Sequence, residues 1–185
     1  MRTMGRIKEH LPVKYFAAVC FTEDIKLEAV LARLEALFGP VDSRSPVYKF
    51  DHFTDYYQSE MGSGLQKLFI SFQQLQPPQA LIDFKHKSNL LETDYATGKG
   101  GRRINVDPGY LTDAKIVLAT TKDYSHRLYL GKGIYGDLHL SYKNGYYRPE
   151  RWTYPDYNQP LALEYFNKIR DLYRKQLKKL RAPTK

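Results

Sequence analysis

The hydrophobic pattern changes its period at Gly98, and this change restricts the fold more than any other feature of the sequence. Before Gly98, apolar runs typical of strands alternate with stripes of helical period. The predicted order is a strand at 15–21, a helix capped by Asp24 and ended by Gly39-Pro40, strands at 47–53 and 68–75, and a second helix opened by Pro77-Pro78.

After Gly98 the sequence turns to short strands of period two, predicted at 103–106, 115–121, 127–130, 138–143 and 146–148. Asn144-Gly145 between the last two is a strong two-residue hairpin signal. Asp107-Pro108-Gly109-Tyr110 has the composition of a turn. A basic tail (1–12) and an amphipathic helix (158–182) lie at the ends. These features predict one α+β domain over residues 1–185, with a mainly antiparallel or mixed sheet and about three helices.

The net charge of +9 belongs to the two ends of the chain. Residues 1–14 and 161–185 carry the whole excess, whereas residues 15–160 are neutral, with a local basic excess in 98–160. A solvated helix face accounts for the C-terminal lysines, and a surface that attracts phosphate fits the second half better.

The sequence also indicates in which cell compartment the protein is expected. Cys20 is its single cysteine, which cannot form an internal disulfide, and no run approaches the roughly 20 apolar residues of a membrane helix. We therefore expect a cytoplasmic protein with no membrane partner. The sequence fixes neither a cofactor nor an oligomeric state.

Two glycine loops resemble nucleotide-binding motifs but lack their context. The loop 131–136 (GKGIYG) has the spacing of a dinucleotide fingerprint, which requires a helix after the glycines, and a strand is predicted there. The loop 98–101 (GKGG) has Gly100 where a P-loop needs Ser or Thr. A glycine-rich β connection and an anion-binding nest of backbone N–H groups both remain open for the first loop, and the second is interpreted as a hinge.

Strand alternation groups the polar residues of the second half. On one predicted strand Arg103, Asn105 and Asp107 share a face, and on another Asp137 and His139 do so. If the strands are neighbours, these side chains and Arg127 form a cluster on the outer face, which could bind a phosphate or carboxylate. A solvated outer face is the alternative. Asp137, His139 and either Asp107 or Asp123 could also hold a divalent metal, but the sequence supports this hypothesis less than anion binding. No metal site is therefore predicted.

A second hypothesis is enzymatic. His52-Phe53-Thr54 and His139-Leu140-Ser141 match the H-x-[ST] strands of two-histidine phosphoesterases, where one imidazole acts as base and the other as acid. His126 is an alternative partner for His139. With five histidines in the chain, two such matches also arise by chance.

The aromatic segment 152–157 (WTYPDY) follows Arg148 and Arg151. It has the composition of a stacking platform for single-stranded nucleic acid, and equally of a seam that closes a sheet edge. The third hypothesis is an interaction module in which this segment and the basic helix bind a protein partner.

The motifs at 103–110 (RINVDPGY), 115–123 (KIVLATTKD), 126–130 (HRLYL) and 152–157 resemble a bacterial family, domain of unknown function family 4416. Phe53–Tyr57 and Glu60–Gly62 are similar to it as well, so the resemblance extends over roughly 12–175. The family implies no established activity. Some members are labelled GTP-binding, although this sequence has no P-loop.

The leading hypothesis is a binding protein for a phosphorylated or anionic ligand, with a phosphorylated small molecule, a nucleotide or RNA as the expected partner. Arg103, Arg127 and Lys122 would contact the anion. Asn105 shares the face of the predicted strand that carries Arg103 and is included in the binding set. Asp107, His139 and Asp156 would orient the ligand.

Overall fold

The computed structural model describes residues 7–98 and 100–181. It confirms the α+β class, with one large antiparallel sheet and helices on both of its faces. The strands are β1 (Val13–Phe21), β2 (Val41–Arg44), β3 (Tyr48–Lys49), β4 (Gln66–Gln76), β5 (Ile104–Leu111), β6 (Lys115–Thr120), β7 (Arg127–Gly131), β8 (Ile134–Lys143) and β9 (Tyr146–Pro149). The α-helices are α1 (Leu27–Phe38), α2 (Gln58–Met61), α3 (Leu81–Asp94) and α4 (Pro160–Arg181).

The strand order is β2-β4-β1-β5-β6-β8-β7, with β3 added to β4 and β9 added to β8. The central strand β1 is buried along its whole length because both faces of the sheet are covered. Its odd-numbered residues contact α1 and α3, and Phe16 and Ala18 contact α4.

A third, smaller apolar cluster attaches residues 50–61, which we call the cap segment, to the α4 side of the sheet. The cap segment contains the 3₁₀ helix Phe50–His52 and α2. Phe50 and Met61 bury their side chains against Cys20 and Leu65. The cap segment therefore covers the end of the sheet that α4 leaves open.

Several local predictions were wrong. The strand predicted at 47–53 is only two residues long and turns into the 3₁₀ helix, and β2 and α2 were not predicted. Residues 107–110 belong to β5 and form no turn, and Lys26, not Asp24, precedes α1. The C-terminal helix ends at Arg181 in the described part, and residues 1–6 of the predicted basic tail, Lys99 of the GKGG loop and residue 182 lie outside it.

Two hairpins end the sheet, and the one at Asn144-Gly145 forms as predicted from its turn residues. Lys132-Gly133 connects β7 to β8, and Asn144-Gly145 connects β8 to β9. All four residues have positive φ, between 50° and 93°, as a type I′ turn requires. The GKGIYG loop is thus a glycine-rich β connection.

Candidate binding cleft

The sheet splits between β5 and β6. β5 pairs with β1 over its full length, but with β6 only from Gly109 to Leu111. Beyond that point α3 supplies the hydrogen bonds. The Val106 N–H donates to Glu92 over 2.8 Å, and the Val106 carbonyl accepts from Lys85 over 3.2 Å. Two buried polar side chains of α3 therefore occupy the position that β6 would fill in a continuous sheet.

The sequence of β5 explains the split. Backbone groups two residues apart in a strand face the same edge, so Pro108 faces β6 as Val106 does, but it has no N–H to donate. Gly109 then allows close approach, because a Cβ there would lie 2.7 Å from the Val117 carbonyl oxygen and 2.6 Å from Phe16. The Asp-Pro-Gly run thus ends the β5–β6 ladder and fixes where the strands separate.

Two adjoining cavities fill the split. One of about 270 Å³ lies between β5, β6, α3 and the cap segment, and one of about 230 Å³ lies below the cap segment and the 3₁₀ helix Pro155–Asn158. They form one cleft because five residues line both: Tyr56, Tyr57, Asp107, Lys122 and Tyr154.

A chain of charged hydrogen bonds runs along one wall of the cleft. Arg102 donates to both carboxylate oxygens of Glu60 (2.6 and 2.8 Å), to Glu92 (3.0 Å) and to the Asn105 side-chain oxygen (2.6 Å). The Asn105 amide then donates to Asp107 over 2.8 Å. This wall is ordered by bidentate geometry that lysine could not reproduce.

Asp107 is the acidic group at the centre of the cleft. Its carboxylate accepts from the Lys85 ammonium over 2.9 Å and keeps 24% of its side chain exposed. Burial alone would raise the pKa of this carboxyl, but the positive charges of Lys85 and Lys67 outweigh burial and lower it. Asp107 is therefore ionised at neutral pH and able to accept a hydrogen bond from a ligand.

The floor of the second cavity is a buried ion pair. Lys67 donates to Asp156 over 2.7 Å, and its ammonium lies 4.4 Å from the centre of the Phe50 ring. The Tyr48 hydroxyl donates to the same Asp156 oxygen over 2.8 Å. The pair connects β4 to the segment that follows β9.

Arg127 and His139 are buried residues that hydrogen-bond Tyr154, which lines the cleft. Arg127 is 7% exposed and donates to Asp137, to the Lys122 carbonyl and to the Tyr154 hydroxyl, so its guanidinium is engaged within the protein. His139 is fully buried, accepts from the Tyr154 N–H at Nε2 (3.0 Å) and faces Asp137 with Nδ1 (3.3 Å). Both residues fix the position of Tyr154.

Lys122 differs from the other cations of the cleft. Lys67, Lys85 and Arg102 each pair with a carboxylate. The exposed Lys122 ammonium donates to the Tyr56 hydroxyl over 2.5 Å, and no carboxylate in residues 7–98 and 100–181 lies within 4.0 Å of it. It is therefore the cation best placed to contact an anion entering from solvent.

The structure brings some of the predicted residues together and separates others. Asn105, Asp107, Lys122 and Asp156 line the cleft. They do not lie on an open outer face, because the cap segment and residues 152–157 cover that side of the sheet. Arg103 points away from them and pairs with Asp24 near the surface.

The histidines do not form the predicted pair of strands. His52 is exposed on a 3₁₀ helix, so its H-x-T run is no strand, and His139 is buried with both ring nitrogens engaged. His126 stacks on Trp152, with 4.7 Å between the ring centres, and lies 3.5 Å from Asp137. Among the described residues, no imidazole lines either cavity.

Sequence reasoning did not predict most of the residues that line the cleft, among them Lys67, Lys85, Glu92, Arg102, Tyr56 and Tyr57. A signal for two of them existed. Lys67 and Lys85 each sit at a position of strand or helix period where an apolar residue is expected, and a buried lysine requires a carboxylate partner.

The aromatic segment 152–157 packs against the body of the protein. The Trp152 indole donates to the Leu138 carbonyl over 2.8 Å, and the Tyr157 ring stacks on Phe166 of α4. This segment therefore closes the gap between β8 and α4, as the seam interpretation predicted.

The described ranges contain neither a cluster of metal ligands nor a helix that could cross a membrane. No three His, Cys, Asp or Glu side chains gather closely enough there to hold a metal ion. No helix there combines the length and the apolar character that crossing a membrane requires.

Comparison with known proteins identifies one relationship. No curated protein and no solved structure matched the chain. A family model, described as domain of unknown function (DUF4416), matches residues 11–173. That range includes the sheet, the cap segment and every residue that lines the cleft. The chain therefore belongs to the DUF4416 family of domains of unknown function.

Proposed function

We propose that the cleft binds a small anionic ligand, and that phosphorylated compounds, nucleotides included, are the first class to test. The observation that carries this proposal is Lys122, an ammonium at the junction of both cavities with no carboxylate partner among the residues described. The other cations of the cleft are neutralised by Asp156, Asp107, Glu60 and Glu92. Those three cations pair with four carboxylates, so Lys122 makes the two charges equal in number. Lys122 would therefore attract an anion through its local position, since its ammonium contacts no carboxylate among the residues described.

Aromatic rings surround that charge. Tyr56, Tyr57 and Tyr154 line both cavities, and Tyr124 lines the second. The Lys122 ammonium lies 4.5 Å from the centre of the Tyr56 ring, so an anion bound to Lys122 would sit beside an aromatic face. Such rings favour a ligand with a planar or apolar portion next to its anionic group.

Asp107 and Asn105 add hydrogen-bonding groups deeper in the cleft. A ligand hydroxyl or amino group could donate to the partly exposed Asp107 carboxylate, as it could not to a buried one. The two cavities, of about 270 and 230 Å³, suit a small molecule or a single unit of a longer chain such as RNA.

The proposal concerns binding and includes no catalytic step. The two H-x-[ST] runs do not form a pair of strands, because His52 lies on an exposed 3₁₀ helix, and the enzymatic hypothesis with His139 and either His52 or His126 stays a prediction. A panel of phosphomonoesters and phosphodiesters incubated with the purified protein would show directly whether turnover occurs.

Calorimetric titration tests the binding proposal with inorganic phosphate, ribose 5-phosphate, AMP and GMP as probes. For any probe that binds the parent protein, Lys122→Gln should weaken binding about tenfold, because one charge-assisted contact is lost. Lys87→Gln is the matched control, since Lys87 is exposed on α3 and lines neither cavity. Binding that is equal in both variants, or absent with every probe, would contradict the proposal.

A further inference from the structure

The end of α4 presents a second, separate basic surface, which we call the α4 basic patch. It consists of five cations within the last eight residues of the helix: Arg174, Lys175, Lys178, Lys179 and Arg181. All five are exposed, and no acidic residue occurs between them. In the described part of the chain only Arg174 of these five lies within 4.0 Å of a carboxylate, that of Asp113 at 3.6 Å.

The arrangement works against helix stability. Arg174 and Lys178 are four residues apart, as are Lys175 and Lys179, and like charges at that spacing repel each other. Cations near a helix C-terminus do interact favourably with the helix dipole, but the effect is confined to the last turn and does not extend to Arg174 and Lys175. The dipole therefore accounts for the last turn only. Of the two earlier cations, Arg174 lies 3.6 Å from the Asp113 carboxylate, and Lys175 follows Asp171 by four residues, a spacing that favours opposite charges.

The patch is held in place by the packing of the opposite helix face. Tyr173 and Leu177 are buried against the sheet, and the Tyr173 hydroxyl donates to the Pro12 carbonyl over 3.1 Å. Gln176 also donates to the Gln73 carbonyl over 2.6 Å. The cations thus project from a fixed scaffold, and four of the five line an open groove of about 590 Å³: Arg174, Lys175, Lys178 and Arg181.

We propose that the α4 basic patch binds the phosphodiester backbone of a nucleic acid, without sequence specificity. Arg174, Lys178 and Arg181 follow one side of the helix over about 10 Å, a spread that suits a repeating anion better than a single small one. Among residues 7–98 and 100–181, the groove that they line has one acidic residue and no aromatic ring, so these residues offer phosphate contacts and no platform for bases.

An anionic membrane is the competing partner, and the apolar residues of the patch argue against it. Membrane-surface helices insert a continuous apolar face beside their cations. Here Leu177 is buried within the protein, and Leu180 is the only large apolar side chain exposed in residues 174–181. The apolar face of α4 is already used by the sheet.

Fluorescence anisotropy with single-stranded RNA and DNA of about 20 nucleotides tests this proposal. The logarithm of affinity should fall with the logarithm of salt with a slope of about −3, as expected for four backbone contacts. The triple variant Arg174→Gln, Lys178→Gln, Arg181→Gln should bind at least about tenfold more weakly and lose about two units of slope. RNA and DNA should bind alike.

The matched control is a second triple variant with the same net charge as the triple variant of the α4 basic patch. Lys26→Gln, Lys87→Gln and Lys143→Gln together remove three exposed cations elsewhere, and this variant should bind as the parent does. Equal loss in the two triple variants, absence of nucleic-acid binding by the parent, or binding only to phosphatidylserine vesicles would each overturn the proposal. Circular dichroism verifies that both triple variants are folded.

Discussion

Lys67 and Asp156 form an ion pair of 2.7 Å between side chains that are only 5% and 2% exposed. The pair connects positions 89 residues apart in the sequence. Burying a charged pair costs desolvation, so such a pair adds little net stability, but either member alone would be a buried, uncompensated charge. The Tyr48 hydroxyl and the Phe50 ring complete the surroundings of this pair.

Removing one member of that pair should therefore lower the free energy of unfolding much more than removing both. Lys67→Met should lower the free energy of unfolding by about 3–5 kcal/mol, because Asp156 keeps its charge without a cation. Lys67→Met combined with Asp156→Asn should regain part of that loss, since the amide still accepts from Tyr48. Urea unfolding of the two single variants and the double variant measures the coupling, and strictly additive losses would contradict it.

Adjacent arginines provide a second test. Arg102 holds Glu60, Glu92 and Asn105 together in the cleft wall, whereas the neighbouring Arg103 pairs with Asp24 at the surface. Arg102→Lys should destabilise the protein by about 1–3 kcal/mol, because lysine cannot make these contacts simultaneously. Arg103→Lys should have a much smaller effect. Thermal unfolding of both variants checks this, and a similar loss in the two would contradict the assignment of Arg102 to the wall.

The change of hydrophobic period at Gly98 was enough to predict the fold class, because two-sided burial of β1 and the stripes of α1 and α4 leave clear patterns. The short elements left no such pattern. β2 has four residues, and α2 is a single turn stabilised by burial of Met61. Their positions depend on tertiary contacts that the local sequence does not contain.

The candidate site was predictable in part for a similar reason. Strand alternation correctly placed Asn105 and Asp107 on one face of β5, but it could not show that the cap segment covers that face. Lys85 pairs with Asp107 from 22 residues away, and Lys67 with Asp156 from 89. Partners at such distances come together only through the topology of the sheet.

The close approach of β5 to β6 depends on Gly109, which leads to a third prediction. Gly109→Ala would place a methyl group 2.6 Å from Phe16 and 2.7 Å from the Val117 carbonyl oxygen, so the strands would have to move apart. We expect a loss of about 1–3 kcal/mol in the free energy of unfolding. Gly98→Ala is the control, because its Cβ would meet nothing within 4 Å. Equal urea midpoints for the two variants would show that the close approach at Gly109 is unimportant.

His139 connects the stability of the protein to pH. Its Nε2 accepts the Tyr154 N–H, so protonation at Nε2 would break that bond, and burial lowers the pKa of the imidazole below 6.5 despite the nearby Asp137. In the unfolded chain the same ring takes up a proton near 6.5. The stabilisation is therefore complete above that value and is lost as the pH falls from about 6.5 towards the lower, folded-state pKa.

Urea unfolding between about pH 7 and pH 5 measures this effect. The free energy of unfolding of the parent should fall by at most about 1.4 kcal/mol per pH unit from this residue, which is the limit for one proton. His139→Gln should remove that contribution to the slope, although it lowers stability at every pH. His52→Gln removes an exposed imidazole instead and should leave the slope as it is.

Because Tyr154 lines both cavities, ligand affinity should decline over the same pH interval in the parent. A slope unchanged by His139→Gln would show that His139 does not control this transition.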